Sequence, residues 1–273
     1  MPNRAVFFIS DRTGITAEAL GNSLLSQFEG VDFECVRLPF VDTKVKAEAA
    51  AERISQASEE QGRPVLVFST QITAEYRDLI RHSNCIFFDF FDTFISRLEQ
   101  TLGAKSSHTA GRLHAPSDDN RYNNRIDNIN FTLNSDDGLG LKYYDKADVI
   151  LLGVSRSGKT PSCLFMAMQY GIKAANYPLL DEDLENTKLP ETLKPYRDKL
   201  FALTINPTRL HNIRDIRKSN SNYASLQQCQ SEVRRAEDLY RSNHIPFLDT
   251  TQMSIEEISA KIINKLNLNA HQR

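Results

Sequence analysis

One short run constrains this chain more than any other feature. Gly153-Val154-Ser155-Arg156-Ser157-Gly158-Lys159-Thr160 fits G-x-x-x-x-G-K-[ST], follows the apolar stretch Val149-Ile150-Leu151-Leu152 and precedes a helical pattern. With 11 glycines in 273 residues, two at this spacing between a strand and a helix are not a matter of composition. The pattern predicts a loop whose backbone N–H groups wrap an anion, with glycine where a Cβ blocks approach and the positive end of a helix behind it. In such a loop Lys159 neutralises the β-phosphate and any transferred phosphoryl group, and the Thr160 hydroxyl is the expected Mg²⁺ ligand. The alternative is an ordinary glycine turn between strand and helix.

The rest of the chain reads as α/β. Strand signals at Ala5–Ile9, Phe33–Leu38, Pro64–Phe68 and Asn84–Phe91 alternate with helix signals at Thr16–Phe28, Lys44–Ser58, Thr73–Arg81 and Thr93–Leu102. That alternation favours a parallel sheet covered on both faces. From Ala104 to about Asn130 the chain turns polar, as a connector that can order on binding, with a helix signal over Ile126–Leu133. Further strands are expected at Ala147–Leu152, Ala174–Leu180, Leu200–Ile205 and Ile245–Leu248, and helices after the glycine loop, over Leu226–Ser242 and behind the capping box Ser254-Ile255-Glu256-Glu257. The expected organisation is an N-terminal parallel-sheet α/β lobe over 1–103, a polar connector and helix over 104–146, and a P-loop kinase-like α/β lobe over 147–273.

Composition narrows the function classes. A formal net charge of −2 argues against nucleic acid as the main partner. No apolar run approaches the roughly 20 residues that span a bilayer, and the N-terminus lacks a signal-peptide pattern, so the expected location is cytoplasmic. The four cysteines form no C-x-x-C pair and the six histidines show no metal spacing.

Three further clusters can carry chemistry. The turn Ser10-Asp11-Arg12-Thr13-Gly14 ends the first strand, where open α/β sheets place their ligand crevice. Ser10, Thr13 and Gly14 can hold an anion there, with Asp11 serving a metal or a hydroxyl proton, or the residues are simply those a turn needs. Asp136-Asp137-Gly138 offers two carboxylates for Mg²⁺ or for a proton from an incoming hydroxyl, although taken alone an acidic pair before glycine is more often a plain turn. Arg209, Arg214 and Arg217 can close over phosphates as a lid or form a solvated basic face. Asp249 is a weaker acidic candidate. No N-K-x-D guanine selector and no transporter-type signature is present, which favours kinase-like use of the loop.

Taken together these motifs resemble the bacterial phosphoenolpyruvate synthase regulatory proteins, relatives of the plant regulators of pyruvate, phosphate dikinase. The similarity rests on Ile9 to Glu18, Leu38-Pro39-Phe40-Val41, Ile150 to Pro161, Ala174-Ala175-Asn176-Tyr177-Pro178 and Tyr223-Ala224-Ser225-Leu226. Arg12 and Ser135 depart from that pattern, the latter standing where His or Tyr is usual. The resemblance implies a bifunctional threonine kinase and phosphorylase: ADP as phosphoryl donor in one direction, inorganic phosphate as co-substrate and pyrophosphate as product in the other. It also implies phosphoenolpyruvate synthase as protein substrate and leaves oligomeric state open; with the motif readings above, Lys159, Asp11 and Asp137 are the expected catalytic residues. An ATP-dependent small-molecule kinase and a nucleotide-gated binding module are the other readings compatible with the loop.

Overall fold

The computed structural model describes residues 3–107, 109, 119–219 and 221–268. The chain divides into two compact units, Met1–Ala115 and Pro116–Arg273. No helix among the described residues is long and apolar enough to cross a membrane.

The first unit runs β1 (Arg4–Ile9), α1 (Ile15–Leu25), β2 (Phe33–Leu38), α2 (Lys44–Gln61), β3 (Val65–Ser69), α3 (Ala74–Arg81), β4 (Cys85–Asp89) and α4 (Phe90–Leu102). Its four strands are all parallel, in the order β2-β1-β3-β4. The central strands are apolar on both faces because helices cover both. Ala5, Phe7, Ile9, Val65 and Val67 pack against Ala47, Ala50 and Ile54 of α2 and Ile80 of α3. Val6, Phe8 and Phe68 turn the other way, onto Ala17 and Leu25 of α1. The sequence pattern carries the fourth strand to Phe91, but Asp89 ends it: its Oδ1 accepts from the amides of Phe91 (3.1 Å) and Asp92 (2.9 Å), so α4 starts inside the apolar run.

The second unit runs α5 (Asp119–Asn134), β5 (Val149–Gly153), α6 (Lys159–Tyr170), β6 (Ala174–Pro178), β7 (Leu200–Thr204), α7 (Pro207–Arg217), α8 (Leu226–Ser242), β8 (Phe247–Asp249) and α9 (Ile255–Leu266), with short 3₁₀ turns at Asp136–Gly138, Leu141–Lys146, Glu191–Lys199 and Asn222–Ala224. The strand order is β6-β5-β7-β8, again all parallel. Every residue of β5 and β7 is buried. Ile150, Leu152 and Ala202 face Leu210 of α7 and Val233, Ala236 and Leu239 of α8. Val149, Leu151, Phe201 and Leu203 face Cys163 and Met166 of α6 and Ile258 and Ile262 of α9.

Two features bear on the organisation expected from sequence. The helix signal at Ile126–Leu133 belongs to the longer α5, which is tied to the second unit: Asn128 Nδ2 donates to Gly171 O (2.7 Å) and Thr132 Oγ1 to Ala174 O (2.9 Å). This unit therefore extends upstream of residue 147. Of the polar connector expected to order on binding, residues 108 and 110–118 lie outside the described residues.

Candidate functional site

The 153–160 loop is shaped by a close approach at one end and by handedness at the other. A Cβ on Gly153, the last residue of β5, would stand 2.6 Å from Ser157 Oγ and 2.9 Å from Leu203 O, so the loop folds tightly over its own strand. At the far end Gly158 has φ +94°, and Arg156 between them is also left-handed at φ +76°. For a non-glycine residue that conformation costs about 1–2 kcal/mol, which the surrounding contacts must offset. Gly158 caps α6 without any side-chain hydrogen bond, leaving the first N–H groups of the helix open to an anion. Ser157 Oγ is buried and has no hydrogen-bond partner.

Lys159 lies inside this loop. Its ammonium donates to Gly153 O (2.9 Å) and Val154 O (3.1 Å) and the residue is only 4% exposed. Burial drives its pKa down to about 8, opposed chiefly by the charge of Asp137 and less by Asp136. A cation held short of counter-charge at the mouth of a ring of N–H groups is the arrangement an anionic ligand completes.

Thr160, the next residue, donates from Oγ1 to Asp136 Oδ1 at 2.8 Å. Asn176 of β6 holds the same carboxylate through its Nδ2 and takes the Asp137 amide on its Oδ1 (3.1 Å). Asp137 itself has φ +49°, which turns the acidic pair sharply, and Tyr144 OH fixes the Asn176 carbonyl at 2.8 Å. The structure thus brings Lys159, Thr160 and the Asp136-Asp137 pair together. It is Asp136, not Asp137, that meets the threonine hydroxyl. Ser135 is fully buried, its carbonyl accepting from the Asn176 amide at 3.3 Å.

Of the two readings of the α7 arginines, a phosphate lid or a solvated basic face, Arg214 fits neither, while Arg209 and Arg217 lie on an exposed face. Arg214 is wholly buried, because Glu232 of α8 takes both its terminal nitrogens (3.1 and 2.7 Å). The same guanidinium donates to Ser155 O (3.1 Å) and Tyr223 O (3.0 Å) and lies 4.1 Å from the Tyr223 ring centroid. Tyr223 OH in turn donates to Ser155 Oγ at 2.9 Å. This is a brace under the loop, while Arg209 and Arg217 are exposed. Asp249 is exposed and closes a local turn through the Thr251 amide (2.9 Å), apart from the Thr160 cluster's hydrogen bonds.

Asp11 belongs to the first unit. It is buried, its Oδ1 accepts a long hydrogen bond from Ser10 Oγ (3.4 Å), and burial raises its pKa. Sequence reasoning gave no role to Asn176, Glu232 or Tyr223. Asn176 carried one usable signal: a side-chain amide inside the apolar strand Ala174-Ala175-Asn176-Tyr177 must find partners if it is buried.

The family model described as kinase/pyrophosphorylase matches residues 6–263. A protein of Hahella chejuensis is 50% identical over 270 residues, covering 99% of both chains. One of Alkalilimnicola ehrlichii is 55% identical over 265 residues, 97% of this chain and 96% of the relative. One of Stutzerimonas stutzeri is 52% identical over 260 residues, 95% and 96%. All three carry the provisional name phosphoenolpyruvate synthase regulatory protein. With its family model spanning both units and its relatives matched almost end to end, the chain belongs to the kinase/pyrophosphorylase family.

Proposed function

We propose that this chain regulates phosphoenolpyruvate synthase by reversible phosphorylation of a threonine. In the inactivating direction the threonine hydroxyl attacks the β-phosphorus of ADP, the bond to the bridging oxygen breaks, AMP leaves and the hydroxyl proton passes to a base. In the activating direction an oxygen of inorganic phosphate attacks the phosphothreonine phosphorus, the P–O bond to threonine breaks, and pyrophosphate leaves with the threonine hydroxyl restored. The observation that carries the reading is the meeting of Lys159, Thr160 and the Asp136-Asp137 pair at the open end of α6, in a chain whose relatives bear the regulator's name.

The residues fit their assigned groups. The backbone of Gly153, Val154, Ser155, Arg156, Ser157 and Gly158, with Lys159 and Thr160, cradles the diphosphate. An oxygen pair suited to Mg²⁺ is available in Thr160 Oγ1 and the Asp136 carboxylate, and the metal supplies charge neutralisation when bound. Lys159 stabilises negative charge on the phosphoryl group in flight. Asp137 accepts the proton of the attacking hydroxyl, held beside Asp136 by the amide bond to Asn176. The opposing reactions share this loop, since both move a phosphoryl group between anions.

Incubating the purified chain with phosphoenolpyruvate synthase and either ADP or ATP, followed by peptide mass spectrometry of the synthase, tests the proposal. Threonine phosphorylation with ADP, reversed by phosphate with release of pyrophosphate, is expected. Modification by ATP alone, or none in either case, overturns it.

A further inference from the structure

The second unit holds a cavity at the end of its sheet opposite the phosphate loop. It measures about 720 Å³ and lies among the segments that enter the strands: Lys146 to Asp148 before β5, Gly171 to Lys173 before β6 and Lys199 before β7, with Asn128 of α5 on one side. That volume suits a small organic ligand. Open α/β sheets place their reaction centre at the carboxyl ends of the strands, so a cavity at the amino ends is separate from the 153–160 loop. α6 spans the distance between the two: Lys159 opens the helix in the loop and Gly171 closes it at the cavity.

The lining carries positive charge that nothing answers. Lys146, Lys173 and Lys199 share the cavity with one carboxylate, Asp148, which is already engaged by the Lys173 amide (2.8 Å). None of the three lysines forms an ion pair among the described residues, and of their ammonium groups only that of Lys199 has a hydrogen bond, to Asp145 O (2.6 Å). Asn128 is 8% exposed; its Nδ2 donates to Gly171 O (2.7 Å), while its Oδ1 accepts from none of the described residues. The backbone donors, by contrast, are taken: the amides of Ala147 and Asp148 go to Tyr144 O (3.2 Å) and Lys173 O (2.8 Å), and that of Ile172 to Met166 O (3.3 Å). The helices whose ends reach the cavity, α6 at Gly171 and α9 at Asn267, present their carboxyl-terminal ends. A phosphate cradle needs free N–H groups and the opposite end of a helix, so an anion here is held by separate ammonium tips.

Two free ammoniums on different segments and one acceptor oxygen on a buried side chain define the occupant: two carboxylates with a hydroxyl between them. We infer that this cavity binds a small hydroxy-dicarboxylate, its carboxylates on Lys146 and Lys173 and its hydroxyl donating to Asn128 Oδ1, and that occupancy favours nucleotide binding at the loop. The coupling follows the chain. Lys146 precedes β5, whose last residue begins the loop; Lys173 precedes β6, which carries Asn176 to Asp136; Asn128 stands on α5, which ends at Asn134 just before Asp136. A ligand that ties these three segments together at one end steadies the frame that positions Thr160 and Asp136 at the other, and by reciprocity the nucleotide strengthens binding in the cavity. The binding site does not depend on the reaction proposed above, whereas the coupling rests on the loop's taking ADP.

The test titrates the full-length chain calorimetrically with L-malate, succinate and acetate at low ionic strength, where exposed charges are least screened. Expected is one malate site per chain, with succinate severalfold weaker for want of the hydroxyl and acetate too weak to measure. Lys146→Gln and Lys173→Gln, at an exposed and a half-buried position, should each weaken malate about tenfold or more with an unchanged circular dichroism spectrum. ADP should bind about fivefold more tightly with malate present, and malate by the same factor with ADP present. No malate binding, malate binding indifferent to both substitutions, or acetate as tight as malate overturns the site. Malate bound with ADP affinity unchanged overturns the coupling. If the chain takes no ADP at all, the loop reading fails on that result and the malate titration still decides the cavity.

Discussion

Thr160 donates a 2.8 Å hydrogen bond to Asp136, a residue 24 positions upstream on a different element. Phosphate loops commonly pair their final hydroxyl residue with an acid at the end of a neighbouring strand, where metal and nucleophile are organised. Here β7, the neighbour of β5, ends in Thr204 followed by Ile205 and Asn206. The acid comes instead from the 3₁₀ turn preceding β5, held by Asn176 of the strand on the other side. Asp136→Asn keeps the size of the side chain and removes the charge. Expected is a fall in turnover of about a hundredfold or more, with a weaker Mg²⁺ dependence and an unchanged circular dichroism spectrum. A variant that retains both activity and metal dependence would place the metal elsewhere.

Lys159 should make the proposed nucleotide binding depend on pH. Its pKa of about 8 without ligand rises when an anion enters the loop, so binding takes up a proton above that pH. ADP affinity should be level below about pH 8 and fall as pH rises beyond it. Titration calorimetry in buffers of differing ionisation heat measures the proton directly, and zero uptake at pH 9 contradicts the assignment.

The same lysine should destabilise the empty protein. Its pKa falls from 10.5 unfolded to about 8 folded, so the cost of burying the charge is fully present below the folded value and is relieved as pH rises toward the unfolded one. That cost is about 3 kcal/mol before the two carbonyl bonds offset part of it. Lys159→Met should therefore be more stable than the parent at pH 7 by denaturant titration, with the gap closing between about pH 8 and 10.5. A gap that widens over that range reverses the sign and refutes the argument.

Arg214 and Glu232 should matter to the loop through position alone. Arg214→Met leaves Glu232 without its cation, and breaking a buried pair from one side costs about 3–5 kcal/mol. Tyr223→Phe is the gentler probe, because it removes only the 2.9 Å bond to Ser155 Oγ. It should weaken ADP binding severalfold, consistent with about 1 kcal/mol for one hydrogen bond, at a melting temperature within a few degrees of the parent. Loss of stability without loss of affinity would make the brace purely structural.

Contiguous signals were legible in the sequence and those that depend on strand pairing were not. Phe33–Leu38 and Leu226–Ser242 are read with their observed bounds, the helix because Ser225 caps it through the Gln228 amide. The glycine loop is legible for the same reason: strand, loop and helix follow one another along the chain. Asp136 and Asn176 lie 40 residues apart and meet only because β6 pairs with β5, in register from Val149 opposite Ala174 to Gly153 opposite Pro178. Spacing alone therefore offered two adjacent carboxylates and no means of choosing between them. Among the arginines of α7 only Arg214 escaped both readings, because helical periodicity marks a face without saying whether it meets solvent, and Glu232, the partner that draws Arg214 inward, is 18 residues further on.

The two glycines of the loop are irreplaceable on different grounds. Any L-residue at 153 collides with Ser157 and the Leu203 carbonyl, whereas a Cβ at 158 meets nothing nearer than Ile258 at 4.0 Å. Position 158 has room and the wrong chirality: φ +94° is ordinary backbone for the mirror-image amino acids. A chain assembled by chemical ligation with D-alanine at 158 should therefore fold around its ligand as glycine does, and one with L-alanine should not. What the ribosome can supply there is a single achiral residue, so the motif's second glycine records a limit of the genetic code's stereochemistry more than a shortage of space.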